Sequence, residues 1–502
     1  MERGSVVDVI ANVRIAGEGR ELMPLAMVDP AAPYDVFLRD GRILDIAPAG
    51  NARRHGSVLD AERAWLIPGL WDHHVHLLQW ALAQSRASAE HAASPAEAAA
   101  LAAAQPAGDD GRRVLQRWRD GLWAEAATLE ALDAATGEVP TYLIAADSHA
   151  VWLNSAAFRR EGLAPDPSGV LREDDAFRLI SALNQVSDAA ADRAVRRAAD
   201  AAAARGVVGV WDLEFGWELP AWRRRVADGW DGLRVYAGIY PEHLETAIAD
   251  GLRTGEAIDG SPLVRVGMLK VLADGSLGTR TAWTTDPYGG DPHHHGAHNV
   301  SPERMVELVV RAAGAGIATT IHAIGDRTNA AALDAFARAD VPGRIEHAQL
   351  VAAADIPRFA RLGVSASVQP QHALDDRDLT ERYWGGHRAL PYPLRAFRDA
   401  GVDILLGSDA PVAPLDPWAA MAAAVFRTDD EREPWHPEQA LDARTALAAS
   451  TAGGSGDPQT IEPGSPADLA IVAADPLAAG RDELRSLPVH ATLLGGRLTH
   501  LS

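Results

Sequence analysis

The sequence predicts an α/β protein: a (β/α)8 barrel of the TIM type with a small β-sandwich domain formed by the N- and C-terminal segments. Three observations lead to this prediction. Eight apolar runs occur in the central part of the chain, and helical segments separate most of them, which is typical of a buried parallel sheet. Short strand-like runs with turn signals occur at both ends. With 502 residues, the chain can bury a large core and form a second small domain.

Composition and charge limit the kinds of molecule that the protein is expected to bind. Apolar residues make up 47% of the chain and charged residues 23%, which is ordinary for a globular protein. The net charge of -22 argues against nucleic acid or an anionic membrane, so we expect a small-molecule substrate. The lack of cysteine excludes disulfides and thiolate sites and suits the cytoplasm. We find neither the apolar core of a signal peptide nor a run long enough to span a membrane.

The two terminal segments, residues 1–63 and 455–502, are assigned to the sandwich. The first has turn signals at Asp40-Gly41 and Ala49-Gly50 between strand-like runs, and the second has one at Gly495-Gly496. Because neither segment has enough residues to close a core alone, we expect both to form one domain beside the barrel.

The barrel is assigned to residues 64–454, with its first strand at 64–72. The other seven strands are predicted at 207–213, 233–240, 264–275, 317–326, 343–350, 364–371 and 402–411. Helices are predicted between them, for example at 301–316 and 327–340.

Between the first two barrel strands lies a largely helical insertion at about 81–204. Ser94-Pro95 is typical of a helix start, residues 112–136 continue in helical texture, and 188–204 predict a strong helix. A short strand at 141–147 is extra to the eight. We expect the insertion to act as a lid or as the surface of a homodimer.

Polar side chains follow the predicted barrel strands where those strands end, which is the face that carries chemistry in such barrels. His74 and His76 are two residues apart, so their imidazoles point to the same face of a strand and can converge on one metal ion. The set that these strand ends contribute is His74, His76, Lys270, His322, His347 and Asp409. Four histidines, a lysine and an aspartate at the same end of a barrel are hard to explain as packing, so the set predicts a functional site there.

Each of these residues alone has a structural alternative. His347 could be a hydrogen-bonded core histidine, Lys270 could pair with Asp274, and Asp409 could cap a turn. Their joint occurrence at matching strand ends, in this order, favours a functional site over separate structural roles.

This order of HxH, Lys, His, His and Asp resembles the amidohydrolase superfamily over almost the whole chain. The resemblance is closest to its amidohydrolase-3 group of YtcJ-like metal-dependent hydrolases. The stretches that carry it are PGLWDHHVHL, DSHAVWLNSAA, KVLADGSLGTRTAW, IHAIGD, RIEHAQ, SVQPQH, LLGSDAPV and IEPGSPADLAIVAADP. They are specific to a family and not to a substrate.

The resemblance implies two divalent metal ions. His74, His76 and Asp409 would hold the more buried ion, and His322 and His347 the outer one. Lys270, carboxylated by CO2, would bridge them, and the low pKa of a buried lysine suits that reaction. Zinc is the expected metal, with manganese, iron or nickel as alternatives. A single-metal centre with unmodified Lys270 is a further alternative.

The implied reaction is hydrolysis of a non-peptide C–N bond of a small molecule by a metal-activated hydroxide. Asp409 would take the proton of the attacking water and deliver it to the leaving nitrogen. His149, Arg280 and Gln369 are candidate substrate-binding residues.

Other side chains are candidates for supporting roles. Asp72, Glu346 and Asp326 could orient the ligand histidines, although Asp326 could equally cap a helix. Four tryptophans in predicted mouth loops hint at an apolar or aromatic substrate portion, with plain packing as the alternative: Trp80, Trp152, Trp283 and Trp384.

Three other functions compete with this one. The same hydroxide could serve a deaminase or a hydrolase of esters or C–halogen bonds. An inactive scaffold would typically lack metal ligands, and none is missing here. A metal-free sugar-phosphate enzyme would need a glycine-rich phosphate loop at the position where this chain has the acidic Asp409.

Overall fold

The computed structural model describes residues 1–16, 32–84, 86–108, 110–119, 123–451, 453 and 459–502, and its centre is a barrel of eight parallel strands. In chain order, which is also their order around the barrel, the eight barrel strands are Leu70–Val75, Val207–Asp212, Arg234–Ile239, Val264–Leu272, Thr319–Ala323, Gly343–His347, Val364–Val368 and Ile404–Leu406. These strands confirm the predicted (β/α)8 architecture. They are buried almost throughout, as parallel strands covered by helices must be.

The barrel closes between its eighth and first strands, directly at the predicted metal ligands. The backbone N–H of Asp409 donates to the carbonyl of His74 at 2.7 Å, and the N–H of His76 donates to the carbonyl of Ala410 at 2.9 Å. The closure therefore fixes His74, His76 and Asp409 relative to one another.

The predicted first strand at 64–72 is in fact two strands. Trp65–Pro68 pairs with Leu469–Val472 of the C-terminal segment, and Leu70–Val75 pairs with the second barrel strand. Gly69 separates them, and a Cβ there would lie 2.4 Å from a methyl carbon of Val208. The sequence does not reveal this break, because both strands are buried and residues 64–70 therefore form one continuous apolar run.

Helices cover the outside of the barrel. The helix Pro302–Gly314 shows why they form: Ser301 accepts a hydrogen bond from the N–H of Arg304, Pro302 occupies the first turn, and one face is buried. The helices that follow or flank the barrel strands are Leu77–Ala83, Asp188–Ala203, Leu219–Ala227, Leu244–Ala249, Pro302–Gly314, Asp326–Ala339, Ile356–Leu362, Pro370–Asp375, Arg377–Trp384, Leu394–Asp399, Pro417–Phe426, Ala443–Ala449 and Arg481–Arg485.

The insertion is an α/β unit, which corrects the largely helical prediction. Its five strands form one sheet: Ala87–Ser88, Arg113–Trp118, Thr141–Ala145, Ala150–Leu153 and Val170–Arg172. Its helices are Pro95–Ala104, Leu129–Thr136, Ser155–Glu161 and Asp174–Leu183. Residues 113–118 were expected to be helical; they are a strand because Leu115 and Trp118 are buried in the core of this sheet.

The strong helix predicted at 188–204, within the insertion, is present as Asp188–Ala203, with Ser187 as its N-cap. It packs on Leu77–Ala83 and leads into the second barrel strand, so it belongs to the barrel wall.

Both ends of the chain contribute to a second eight-stranded sheet. Its strands are Val9–Ile15, Tyr34–Arg39, Arg42–Pro48, Val58–Asp60, Trp65–Pro68, Leu469–Val472, Val489–Leu494 and Arg497–Leu501. A separate apolar core lies on it, built from residues of both segments. The sandwich form and the division at 63/64 and 454/455 stay predictions, and the second boundary lies outside the described residues. None of the helices in the described residues has the length and apolar character to cross a bilayer.

Candidate metal centre and cleft

All six predicted ligands meet at the C-terminal end of the barrel. Nε2 of His74 and Nε2 of His76 lie 3.4 Å and 3.3 Å from Oδ1 of Asp409. Nζ of Lys270 is 3.1 Å from Nε2 of His74. The structure thus groups the residues of strands one, four and eight around one carboxylate.

The remaining two histidines extend this group. Nδ1 of His347 lies 4.0 Å from Oδ2 of Asp409, and the rings of His322 and His347 are 4.5 Å apart at an edge-to-face angle. His347 and Asp409 both have positive φ, 72° and 58°. Such backbone strain in residues other than glycine clusters at functional sites, where the surroundings hold it in place.

Buried acceptors orient the ligand rings. Glu346 Oε2 lies 2.8 Å from Nδ1 of His74, and Thr320 donates to the other oxygen of Glu346 at 2.6 Å. Gln369 Oε1 lies 2.9 Å from Nδ1 of His347. The second nitrogen of each ring is thereby left as the candidate ligand atom.

Asp274 lies behind His322 as Glu346 lies behind His74, a role that its place in the sequence does not predict. Its Oδ1 is 3.4 Å from Nε2 of His322, and its carboxylate accepts the N–H groups of Trp283, Ile324 and Gly325. The Asp274 carboxylate thus contacts His322 and backbone N–H groups, and the alternative in which Asp274 pairs with Lys270 is not observed.

The other predicted orienting residues contact backbone instead of imidazole. Asp72 accepts the N–H groups of His74 and Ser408, so it fixes the strand ends. Asp326 accepts the N–H of Thr285, and Gly325 is the N-cap of its helix. His73 lies on the opposite face of its strand from His74, with Nδ1 2.8 Å from the carbonyl of Leu406.

The protonation states in this centre suit metal binding. Burial lowers the pKa of His74, His322 and His347, so these imidazoles keep a free lone pair at neutral pH. Burial alone would raise the pKa of Asp409, but the surrounding histidines, led by His74, hold it well below its usual range. Burial lowers the pKa of Lys270 to about 8, although the negative charges of Glu346 and Asp409 act to raise it.

The donor set satisfies the requirements for a divalent cation. The ligand atoms of His74, His76 and Asp409 all lie within 4.8 Å of one another, and so do those of His347, His372 and Asp409. His76 Nδ1 and His372 Nε2 are buried and have no hydrogen-bond partner in the described part of the chain. Buried imidazoles around a carboxylate are the ligands that zinc and similar ions select.

A cleft lies above this centre, and the insertion forms one wall of it. The insertion contributes Arg119, Asp147, Ser148, His149 and Phe177 to the lining. His149 Nδ1 pairs with Glu173 at 3.0 Å, and its ring is 6.0 Å from that of His322. The insertion therefore reaches the metal centre, as a lid would.

The other two predicted substrate residues lie outside the lining of this cleft. Arg280 is exposed, with its guanidinium over the ring of Tyr383 at 5.6 Å. Gln369 is buried behind His347, where it orients the ring. Phe177 and Phe215 provide the aromatic surface of the cleft, whereas Trp152 packs in the core of the insertion.

The mouth of the cleft is rich in acids around one arginine. Arg119 lies 3.0 Å from Asp375 and 3.6 Å from Asp376, which follow the seventh barrel strand. This ion pair joins the insertion to the barrel. Gln349 and His372, which also line the cleft, were missed as site residues. Both lie in the quoted stretches RIEHAQ and SVQPQH, so attention to every polar residue of those stretches could have found them.

The comparisons with known proteins agree with this geometry. The model of the amidohydrolase family matches residues 57–500. A putative amidohydrolase YtcJ of Bacillus subtilis is 25% identical, with 74% of this chain and 75% of that protein covered. An N-substituted formamide deformylase of Arthrobacter pascens is 27% identical, with 93% of this chain and 94% of that protein covered.

A solved structure supports the fold over nearly the whole chain. It is that of an uncharacterized metal-dependent hydrolase from Pyrococcus horikoshii, with a TM-score of 0.79 and 24% identity, covering 94% of this chain and 99% of that one. The extent of the family match and the barrel with its strand-end histidines lead to one assignment. This chain belongs to the amidohydrolase family and is a hydrolase.

Proposed function

We propose that the protein hydrolyses a non-peptide C–N bond, of the amide type, in a small molecule. The observation that carries this proposal is the buried cluster of histidines around the carboxylate of Asp409 at the barrel mouth. The relative named as a formamide deformylase supports an amide-type bond, since the two chains match over nearly their full lengths.

The residues that would hold metal ions are the histidines at the ends of the first, fifth and sixth barrel strands together with Asp409. His74, His76 and Asp409 would hold one ion, and His322 and His347 a second. Bound ions of this kind supply an activated water at neutral pH and a positive charge for the substrate oxygen. We propose zinc as the metal, because three or four imidazoles and a carboxylate suit it.

Asp409 is the proposed proton carrier. Its carboxylate lies next to Nε2 of His74 and of His76, so it can accept the proton of a water activated there and then pass it to the leaving nitrogen. The distances of 3.4 Å and 3.3 Å from Oδ1 of Asp409 to the two Nε2 atoms show that the carboxylate is directed at the same point as these nitrogens.

Lys270 is proposed to carry a CO2-derived carboxyl group that bridges the two ions. Full burial beside His74 supports this, because a neutral amine is required for the reaction and a charged one would be costly there. Carbon NMR of the native protein equilibrated with labelled bicarbonate is expected to show a carbamate signal that Lys270→Arg lacks.

His149 is proposed to contact the substrate from the insertion, supported by its place in the cleft wall and its pairing with Glu173. Gln369 is proposed to act indirectly, by orienting His347. The exposed Arg280 could contact only a substrate long enough to leave the cleft.

The test combines metal analysis of the native protein with a panel of small molecules. We expect two equivalents of a divalent metal and turnover of at least one class among N-formyl, N-acyl and cyclic amides. Turnover confined to esters or to amidine-type nitrogens would replace the amide proposal by an esterase or deaminase. Protein never exposed to chelator that lacks metal would contradict the proposal.

A further inference from the structure

Within the described part of the chain, two neighbouring polar side chains in the cleft have buried atoms without a hydrogen-bond partner. Gln349 follows the sixth barrel strand and His372 follows the seventh, and they are 4% and 5% exposed. Oε1 of Gln349 and Nε2 of His372 have no hydrogen-bond partner among the described residues. Leaving such an atom buried and unpaired costs about 1–3 kcal/mol, so two of them side by side in a cleft point to a site for a polar group.

The contact between the two side chains assigns their roles. Nε2 of Gln349 lies 3.4 Å from Nδ1 of His372 and donates to it. A neutral imidazole that accepts at Nδ1 carries its proton at Nε2. His372 therefore offers a donor and Gln349 an acceptor. With the amide of Gln349 turned over the two roles exchange, and the pair still offers one donor and one acceptor.

The position of the pair relates it to the reacting bond. Nε2 of His372 is 3.9 Å from Oδ2 of Asp409, too far for a hydrogen bond but near enough for one group to touch both. Both side chains line the same cleft as the ligand histidines. A substrate group bound by the pair would thus lie next to the proposed proton carrier.

We propose that Gln349 and His372 bind the scissile amide of the substrate as a donor–acceptor pair. His372 donates to the amide oxygen, and Gln349 accepts the amide N–H. The two side chains touch, so they approach the amide from one side. Oxygen and N–H lie on one side in a cyclic or primary amide and on opposite sides in an open-chain trans amide. The inference rests on the proposed amide hydrolysis and names cyclic and primary amides as the substrate class.

The experiment measures binding of a six-membered lactam and its N-methyl derivative to the metal-loaded protein by calorimetry. The variants are Gln349→Met and His372→Phe, which remove the polar atoms and keep much of the volume. Gln371→Met is the matched control, because the Gln371 amide bonds Asp375 and Asp429 and does not line the cleft. Metal content of every variant is measured in parallel.

We expect the wild type and the control to bind the lactam at least about tenfold more tightly than its N-methyl derivative, the worth of about one hydrogen bond. Gln349→Met is expected to lose this preference, and both site variants to bind the lactam about tenfold more weakly, with metal content unchanged. In steady-state kinetics on a hydrolysed lactam, Gln349→Met should raise KM more than it lowers kcat.

Two results would overturn the proposal. One is equal affinity of the wild type for the two lactams, or a preference that Gln349→Met retains. The other is loss of one metal equivalent in His372→Phe with an unchanged lactam preference, which would make His372 a metal ligand. If the wild type turned over no amide at all, the proposed function would fail while the lactam measurement would still test the pair.

Discussion

At the scale of single residues, Asp409 has the most demanding role. Its carboxylate is the meeting point of His74, His76 and His347, and its backbone holds the strained φ of 58°. The proposed metal binding and the proposed proton transfer would both depend on this one side chain.

Asp409→Asn should therefore abolish turnover, lowering kcat by about 10³-fold or more, since general acid–base help alone accounts for 10²–10⁴-fold. The fold should persist, because the amide has the same shape. Steady-state kinetics and circular dichroism measure the two quantities. Asp403→Asn, at an exposed position just before the same strand, is the control and should be fully active. Full activity in Asp409→Asn would eliminate the proton carrier.

The six strand-end residues could be predicted because strand ends of a parallel barrel converge, so their order along the chain is enough. Gln349, His372 and Asp274 could not be placed in the same way. Gln349 and Asp274 lie in loops beyond the strands, and His372 lies in the short helix Pro370–Asp375. Their side-chain directions depend on local conformation that no periodicity encodes. Arg280 shows the converse: a polar loop residue near a strand end whose side chain packs on Tyr383 at the surface.

At the scale of elements, the seam between the first and eighth barrel strands positions the metal centre. Gly407 lies in this seam, where an added Cβ would lie 2.8 Å from the N of His74 and 3.1 Å from Oδ1 of Asp72. Both neighbours are held in hydrogen bonds, so neither can move freely.

Gly407→Ala should thus displace His74 and weaken metal binding by about tenfold or more, in the range found when residues that support a ligand are altered. Competition with a metal-sensitive dye reports the affinity. Gly314→Ala, in a helix position with open space around it, should bind metal normally. Unchanged affinity in Gly407→Ala would show that the seam tolerates a wider spacing.

In the terminal sheet, a buried carboxylate pairs with a partly exposed arginine. Asp35 is fully buried and accepts two hydrogen bonds from Arg54, with further ones from the N–H groups of Asn12 and Gly50. Burial alone would raise the pKa of Asp35, but Arg54 and the N–H donors lower it overall. A lowered folded-state pKa adds stability above the unfolded pKa of about 3.9, and that stability is lost as pH falls.

Asp35→Asn should therefore lower the free energy of unfolding at pH 7 by about 1–3 kcal/mol. The difference from wild type should shrink as the pH falls below about 4. Denaturant unfolding at several pH values measures it. Asp45→Asn, on an exposed position of the neighbouring strand, should change little at any pH. A constant difference between wild type and Asp35→Asn would show that charge is not the cause.

The insertion shows where element prediction fails. Residues 113–118 have no strict alternation, and Arg117 has a positive φ of 67° at an irregularity in the strand pairing. Their strand form comes from pairing with Thr141–Ala145, a tertiary contact that local sequence does not report. The helices at Pro95 and Asp188 were predictable because Ser94 and Ser187 are local capping signals.

At the scale of the whole molecule, metal binding should stabilise the fold. The ligands come from strands spread between residues 74 and 409, so they converge only in the folded chain. Chelator treatment should lower Tm by several degrees and zinc should restore it, because a ligand that binds only the folded state stabilises it by mass action. Differential scanning calorimetry measures the shift.

His74→Ala is the control for this measurement, since a protein that has lost the centre should have a Tm insensitive to chelator. If the wild-type Tm were likewise insensitive, metal binding would not be linked to folding and the proposed centre would be in doubt.

The backbone N–H groups of two successive residues, Gly69 and Leu70, donate to carbonyls beside two different sheets. The N–H of Gly69 donates to Asp468 in the terminal sheet, and the N–H of Leu70 donates to Gly206 beside the second barrel strand. The strand that bears His74 is therefore anchored from outside the barrel, one peptide unit away. Local unfolding of the terminal sheet would weaken this anchor. Substitutions in that sheet, far from the cleft, would then lower the affinity of the proposed centre for metal although every proposed ligand is still present.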